Sequence, residues 1–386
     1  MKYTRRQSLS FFGATSLFSL LPSSYLNAAI ASKYLILVEL QGANDGLNTV
    51  IPYSDRNYYK LRPSIGIPKK DILTISENVG LHFSLKGLAK IYETGELKIV
   101  QNLGYPNPVL SHFRSIELWE TGGDGKAKGR NGWLNDSLDL IGNQRNLDGK
   151  AIYLDQSGDV FRGGLDGFYG PNSIGFVAAE LEARDQTVPV PETFGLLADL
   201  MQGRKQNSEK LKQIQNKLSG ANRFSSVGRG NLGAQLSKVC NILSKDVNIP
   251  VLKVAIGSFD THSEQFWRHR DLLRELDESL YETVQALQNI GIWNDTVIMT
   301  YSEFGRRAAE NGSRGTDHGM AAPHFLMGGK LKGGFVGEVP NLGRLRNNNL
   351  EFEIDYRTVY ETVLREHFGL DDNPFQKYQD KDLFSL

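Results

Sequence analysis

The sequence predicts an α/β protein with a mainly parallel central sheet flanked by helices, and three observations indicate this fold class. Continuous apolar runs, such as residues 34–40 (YLILVEL) and 296–301 (TVIMTY), alternate along the chain with helical patterns, as is typical of parallel strands buried on both faces. Several of these runs end in loops rich in polar residues, the place where open parallel sheets keep their ligands. At 386 residues, the chain is also long enough to bury a large core.

The elements follow from the spacing of apolar residues, taken in chain order. We expect strands at residues 34–40, 97–103, 251–256, 296–301 and 324–327, and helices at residues 83–93, 208–218, 232–243, 264–290 and 356–368. A glycine- and serine-rich loop at 219–231 joins two of these helices, which predicts a helical insertion over about residues 200–245. The stretch 104–206 is rich in loops, and its pattern does not order the elements.

Residues 1–31 have the pattern of a secretory signal peptide. Arg5 and Arg6 precede a short, moderately apolar segment, and small residues at Ala29 and Ala31 offer a cleavage site. The sequence around the two arginines (TRRQSL) resembles the twin-arginine motif, which predicts the twin-arginine translocase as a partner during export. The apolar segment is too short to span a bilayer, so we expect a periplasmic or extracellular protein without a permanent membrane anchor.

Composition narrows the classes of partner and of metal site. The mature chain, residues 32–386, is expected to form one domain. Lysine plus arginine equals aspartate plus glutamate at 44 each, and no basic stripe is present, so we expect no nucleic-acid partner but a small polar substrate. Cys240 is the only cysteine, which excludes an internal disulfide and a cysteine-rich zinc site. Any metal must therefore be held by oxygen and nitrogen atoms.

Carboxylates and imidazoles follow three of the predicted strands. The candidate metal ligands are Asp45, Asp260, His262, Glu303, Asp317 and His318. Because the carboxyl ends of parallel strands share one edge of a sheet, these side chains are expected to meet there and to bind one or two divalent ions, from zinc, calcium, manganese or magnesium. Two alternatives stay open: Asp45 is also a common turn former, and His318 also fits a surface loop.

Six motifs give the chain a resemblance to a known family. They are residues 41–49 (QGANDGLNT), 105–113 (YPNPVLSHF), 119–122 (WETG), 259–262 (FDTH), 302–306 (SEFGR) and 315–319 (GTDHG). In this order they resemble the domain of unknown function 1501 family, which is exported by the twin-arginine route and is similar to the alkaline phosphatase and sulfatase superfamily. The resemblance therefore implies an alkaline-phosphatase/sulfatase-like fold.

The resemblance also implies how the ligands divide between two ions. Asp45 would hold one ion together with the pair Asp317 and His318, while Asp260 and His262 would serve the second. The superfamily spaces this last pair more widely than Asp-x-His, and it has a further, distant histidine as a ligand. The candidates for that histidine are His324 and His112. The number of ions, one or two, stays open.

The superfamily nucleophile stands at the start of a helix, and Ser111 occupies such a position ahead of a helical pattern. The catalytic candidates are Ser111, His112 and Arg114. Alternatively Ser111 is only an N-cap, worth about 1 kcal/mol of helix stability. Arg114 and Arg306 are candidate clamps for an anion, although an arginine is also an ordinary surface group.

These observations together predict an exported metal-dependent hydrolase that acts on small anionic esters of phosphate or sulfate. The reaction would be an in-line attack by Ser111, or by water if Ser111 is only a cap. The alternative is a non-catalytic, metal-stabilised binding or accessory protein of the envelope with the same fold.

Overall fold

The computed structural model describes residues 33–142, 147–164, 167–171 and 209–380. Within them the chain forms a nine-stranded sheet, a three-stranded sheet and a two-stranded sheet. The strands are β1 Tyr34–Leu40, β2 Val50–Ile51, β3 Leu73–Thr74, β4 Gly80–Leu81, β5 Leu97–Gly104, β6 Ala151–Tyr153, β7 Phe168–Tyr169, β8 Val251–Ile256, β9 Thr296–Tyr301, β10 Gly305–Arg306, β11 His318–Gly319, β12 Ala322–Gly328, β13 Gly334–Val336 and β14 Ile354–Asp355.

Helices cover both faces of the large sheet. The α-helices are Gly46–Thr49, Arg56–Leu61, Lys86–Glu93, His112–Thr121, Trp133–Gly142, Gly230–Leu243, Gln265–Ile290 and Tyr356–Thr362, and residues 209–218 are also helical. Shorter helical turns lie at Lys69–Asp71, Asp159–Phe161, Trp293–Asp295 and Gln376–Tyr378, and a π-helical turn at Val363–His367. The longest helix ends at Gly291, whose φ of 87° is the left-handed conformation that glycine adopts at helix ends.

The large sheet is mixed and mostly parallel, as the sequence predicts. Its strand order is β13-β5-β12-β9-β1-β8-β6-β7, with β14 also paired to β5. Among the described strands of this sheet, only β12 runs antiparallel, against both β5 and β9. The chain from β9 to β12 contains the small β10–β11 pair and no crossover helix, so β12 returns in the opposite direction.

Alternating side chains of β1 show why its sequence is mostly apolar. Ile36, Val38 and Leu40 pack into one core cluster, which includes the helices Gly230–Leu243 and Gln265–Ile290. On the opposite face, Leu35 and Leu37 pack into a second cluster, with residues of His112–Thr121, Trp133–Gly142 and Tyr356–Thr362. A strand covered on both faces is therefore mostly apolar, and the exception in β1, Glu39, pairs with the buried Lys253 of β8 at 2.7 Å.

The predicted elements agree with the structure where apolar runs are continuous. The bounds of β1, β8 and β9 are those predicted, and the expected helix at 264–290 is observed as Gln265–Ile290. The expected C-terminal helix changes at Val363 from α-helical to π-helical geometry.

Two predictions fall wholly or partly outside the described residues. The expected signal peptide, residues 1–31, lies outside them, as does part of the expected insertion at about 200–245. Within the second segment, Gly230–Leu243 packs into the main core beside Gln265–Ile290. Across the described part of the chain, no helix combines the length and the apolar character needed to span a membrane.

The topology brings several loops to one edge of the large sheet. The strands β1, β8 and β9 are parallel, so the loops that follow them leave from the same edge. Because β12 is antiparallel, its first residue Ala322 lies at this edge too, opposite Leu103 near the carboxyl end of β5. The segments that precede β12 and follow β5 therefore reach the same place.

Candidate metal centre

Three imidazoles and one carboxylate converge at this edge of the sheet. The Nε2 atom of His318 lies 3.1 Å from Nε2 of His112 and 3.0 Å from Nε2 of His262. The Oδ1 atom of Asp260 lies 3.1 Å from Nε2 of His262, 3.4 Å from that of His318 and 3.6 Å from that of His112. We call these four residues the donor cluster.

Each member of the donor cluster comes from an element that reaches this edge. Asp260 and His262 lie in the loop after β8, and His318 begins β11, where it is opposite Arg306 of β10. His112 is the first residue of the helix His112–Thr121, reached from β5.

The second ring nitrogen of each histidine shows which nitrogen carries the proton. Nδ1 of His318 lies 3.0 Å from the carbonyl oxygen of Leu110, and Nδ1 of His112 lies 2.6 Å from Oε1 of Glu303. A carbonyl and a carboxylate oxygen can only accept, so both Nδ1 atoms donate, and the neutral rings keep a lone pair on Nε2. Nδ1 of His262 lies 3.5 Å from Oδ1 of Asp317, which favours the same tautomer.

The donor cluster has the chemistry of a metal site, and its donors lie close together. Neutral Nε2 atoms that face one another cannot form hydrogen bonds, but they can all bind one cation. Zinc–nitrogen bonds of 2.0–2.1 Å place tetrahedral donors about 3.3–3.4 Å apart. Five of the six donor–donor distances, 3.0–3.6 Å, lie around this value. The ligand atoms that all lie within 4.8 Å of one another are those of His112, Asp260 and His318, while His262 adjoins Asp260 and His318. The residues present therefore fit a single divalent ion.

Arg306 organises the base of the donor cluster. Its side chain is fully buried, and Nη2 donates to Oδ1 of Asp260 at 2.6 Å. The same guanidinium donates to the carbonyl oxygens of Ala43 at 2.8 Å and Thr316 at 2.9 Å. Burial raises the pKa of Asp260, but the hydrogen bond and charge of Arg306 outweigh it and lower that pKa. The expected role of Arg306 as an anion clamp does not fit, since protein atoms already bind its donors.

Glu303, a predicted ligand, lies behind the donor cluster. Its Oε1 contacts Nδ1 of His112, the nitrogen on the far side of the ring, and also accepts the backbone N–H of Gly42 at 2.9 Å. The hydrogen bond between Glu303 and His112, together with the negative charge of Glu303, raises the pKa of His112. Burial lowers the pKa of His318. Glu303 thus orients His112.

Asp45, also a predicted ligand, lies outside the donor cluster. Both of its oxygens bind Arg62, at 2.5 and 2.9 Å, and both residues are almost fully buried. Burial raises the pKa of Asp45, but the charge of Arg62 outweighs it and lowers the pKa. The physical reason for the difference is the buried arginine 17 residues further on, which takes the carboxylate that the sequence suggested for a metal.

Asp317 and His324 also differ from their expected places. Asp317 approaches only Nδ1 of His262 and accepts from Asn311 at 3.1 Å, which lowers the pKa of Asp317. His324, a candidate for the distant histidine, lies in the core with its ring 5.5 Å from that of Trp119. Burial lowers the pKa of His324 to about 3. His112 is the candidate that joins the donor cluster.

The other catalytic candidates lie beside the donor cluster, at the start of His112–Thr121. Ser111 is the exposed N-cap residue, and its side chain makes no cap hydrogen bond. It stands between Leu110, whose carbonyl binds His318, and His112 itself. Arg114 donates to Glu117 at 2.8 Å along the same helix.

Comparison with known proteins identifies the family. The family described as protein of unknown function (DUF1501) matches residues 192–385, just over half of the chain. The chain belongs to the DUF1501 family. The matched part of this DUF1501 protein contains Asp260, His262 and His318, whereas Ser111 and His112 lie before it. No curated protein matches the sequence.

Solved structures with a similar fold belong to the alkaline phosphatase and sulfatase class. A protein in the alkaline phosphatase superfamily from Vibrio parahaemolyticus is 12% identical (TM-score 0.38), and the match covers 81% of this chain and 64% of that one. The lipoteichoic acid synthase LtaP from Listeria monocytogenes is 13% identical (TM-score 0.36; 80% and 68% covered). The C-terminal periplasmic domain of EcEptC from Escherichia coli, in complex with Zn, is 12% identical (TM-score 0.35; 78% and 74% covered). None of these likenesses assigns a role to a residue of this DUF1501 chain.

Proposed function

We propose that this DUF1501 protein is an exported, metal-dependent hydrolase of phosphate or sulfate esters, with one divalent ion held by His112, Asp260, His262 and His318. The observation that carries the proposal is that the Nε2 atoms of three histidines lie 3.1–3.6 Å from one carboxylate oxygen, Oδ1 of Asp260. The site is open to solvent, because the side chains of Asp260 and His262 are 46% and 44% exposed. A small anionic ester can therefore approach it.

The donor set favours a transition ion over the harder cations. Calcium and magnesium prefer oxygen ligands, whereas imidazole nitrogen suits zinc and its neighbours. Three nitrogen donors with one carboxylate oxygen therefore support zinc among the four ions that the sequence left open. When bound, the ion would act as a Lewis acid that neutralises charge on the reacting anion.

Ser111 is the proposed nucleophile because its hydroxyl is exposed and is not used as a helix cap. The first amides of His112–Thr121 and the helix dipole favour an anion at the same end of the helix. In the proposed reaction the Ser111 oxygen binds the phosphorus or sulfur while the bond to the alcohol oxygen breaks. The hydroxyl proton leaves with the alcohol, and water then releases the anion from Ser111.

A second candidate function is supported by the number of donors. Four protein ligands complete a tetrahedral sphere, which is typical of structural zinc sites, whereas catalytic sites keep one position open. All four donors of the cluster come from the protein. This favours the alternative of a non-catalytic envelope protein that is stabilised by its metal.

One experiment separates the two candidates. The purified mature chain is analysed for metal and incubated with an aryl phosphate and an aryl sulfate. Bound metal with turnover that is lost in Ser111→Ala supports the hydrolase. Bound metal without turnover of either ester class supports the structural role, and absence of metal contradicts both.

Export is tested by replacing Arg5 and Arg6 with lysine, which should retain the precursor in the cytoplasm if the twin-arginine route is used.

A further inference from the structure

We infer that Gln265 is the positioning residue of the metal centre, and that the buried Asp45–Arg62 pair acts on the ligands through it. The inference rests on the proposed metal centre. Gln265 is the first residue of the helix Gln265–Ile290 and is fully buried. It contacts none of the proposed reacting groups, so its role is to hold the ligand loops in place.

The side chain of Gln265 links the two loops that carry three of the four ligands. Its Oε1 accepts the hydroxyl of Thr261 at 3.0 Å and the hydroxyl of Thr316 at 2.7 Å. Thr261 lies between the ligands Asp260 and His262, and Thr316 lies two residues before His318. Both threonines are fully buried, so no water replaces these hydrogen bonds.

Asp45 determines which way the Gln265 amide points. Its Oδ2 accepts a hydrogen bond from Nε2 of Gln265, and a carboxylate oxygen can face only the nitrogen end of the amide. The oxygen end must then face the two threonines. Arg62 fixes Asp45 through two hydrogen bonds and also donates to the carbonyl oxygen of Ala308 at 2.9 Å. The buried Asp45–Arg62 ion pair therefore orients Gln265. This gives Asp45 a role behind the donor cluster rather than as a ligand.

Backbone contacts run in parallel with the side-chain links. The N–H of Thr316 donates to the carbonyl of Thr261 at 3.2 Å, and the N–H of Gln265 donates to that of Arg314 at 2.9 Å. These backbone hydrogen bonds keep the two loops close without the Gln265 side chain. The side-chain hydrogen bonds that fix Thr261 relative to Thr316 are then lost. Partners behind metal ligands typically change metal affinity by 10–100-fold when they are removed.

The test compares two buried glutamines. Gln265→Met removes the amide but keeps a side chain of similar length. The control, Gln235→Met, removes an amide that hydrogen-bonds to backbone groups: the N–H and carbonyl of Ala255, at 3.0 and 2.8 Å, and the carbonyl of Asn231 in its own helix. Zinc affinity is measured by competition with a chromophoric chelator, and the cobalt-loaded proteins are compared by their visible absorption. We expect Gln265→Met to weaken zinc binding by about 10–100-fold and to change the cobalt spectrum, with Gln235→Met close to wild type.

A milder pair keeps the test decisive if Gln265→Met does not fold. Thr316→Val keeps the shape of the side chain but removes its hydroxyl, and Thr316→Ser restores the hydroxyl. Weaker zinc binding in Thr316→Val that Thr316→Ser rescues supports the inference. Normal zinc affinity in Thr316→Val and in folded Gln265→Met overturns it while leaving the metal centre intact, as does an equal loss in Gln235→Met. A wild-type chain that binds no zinc overturns the metal centre and this inference together.

Discussion

The Nε2 atoms of His112 and His318 face each other at 3.1 Å. The Nδ1 atom of each ring lies against an oxygen that can only accept a hydrogen bond, Oε1 of Glu303 for His112 and the carbonyl oxygen of Leu110 for His318. Two neutral rings in these tautomers direct lone pairs at each other, which is unfavourable unless a metal ion or a proton lies between them. Asp260 adds a negative charge to the same point. The protein fold thus holds a set of groups that a bound cation would stabilise, which is the basis of the metal predictions below.

Removal of metal should lower thermal stability. A ligand that binds only the folded state adds about 4 kcal/mol at a thousand times its dissociation constant. We therefore expect a chelator to lower the melting temperature by several degrees and zinc to restore it. Melting curves of the purified chain with and without chelator provide the measurement. Identical curves would argue against bound metal in the folded protein.

The carboxylates Asp260 and Asp317 make a matched pair of variants. They are similarly exposed, at 46% and 48%, but only Asp260 directs an oxygen at the Nε2 atoms. Asp260→Asn should therefore weaken zinc binding by at least 100-fold, and Asp317→Asn by about 10-fold, because Asp317 contacts the far nitrogen of His262 and offers no oxygen to the ion. Titration of each variant with zinc measures the difference. Equal losses would mean that the donor cluster is assigned incorrectly.

The central part of the fold follows from the sequence because burial on both faces leaves a continuous apolar run. The strands β1, β8 and β9 are mainly of this kind, with Glu39 of β1 and Lys253 of β8 as a buried ion pair within them. The direction of β12 does not follow from its own residues. It is antiparallel to β9 because the segment between the two strands contains the short β10–β11 pair and no crossover helix. Of the two helices in residues 104–142, His112–Thr121 begins after Ser111 as the sequence predicts, whereas Trp133–Gly142 lies in the loop-rich stretch whose pattern does not order its elements.

The site was predicted in part for a similar reason. Polar residues after parallel strands point to one edge, so Asp260, His262 and His318 were singled out, and the structure brings them together. Asp45 obeys the same pattern but pairs with Arg62, and a pairing between loops is not visible in the sequence. The sequence predicts His112 as a catalytic residue and, with His324, as a candidate for the distant histidine ligand. The signal for its place in the donor cluster was its position at a helix start directly after Ser111.

Ser111→Ala tests the nucleophile. The side chain makes no cap hydrogen bond, so its removal should cost well below the roughly 1 kcal/mol that is usual for an N-cap. We expect turnover of an aryl phosphate or sulfate to disappear, with zinc content and melting temperature nearly unchanged. Retained turnover would indicate that water attacks the ester directly.

A buried carboxyl should make stability depend on pH. Glu120 is almost fully buried, with Oε1 3.9 Å from the ammonium of Lys253, and burial raises the pKa of Glu120 from 4.5 to about 8. Between these values the folded chain keeps a proton that the unfolded chain has released, so the free energy of unfolding falls as pH rises. Each pH unit contributes up to about 1.4 kcal/mol.

Glu120→Gln removes this titration at nearly constant size. The stability of the variant relative to wild type should therefore rise from pH 5 to pH 8, as measured by urea unfolding of the metal-free proteins. Metal is omitted because its binding also depends on pH. Parallel stability curves for the two proteins would show that Glu120 is already ionised in the fold.

The most direct test of the metal centre is X-ray absorption at the zinc edge of the purified, zinc-loaded chain. We predict one zinc per chain with four nitrogen or oxygen neighbours at about 2.0 Å and the outer-shell scattering of three imidazole rings. In His112→Ala the scattering should fall to two rings. A spectrum without imidazole scattering, or one that His112→Ala leaves unchanged, would contradict the proposed centre.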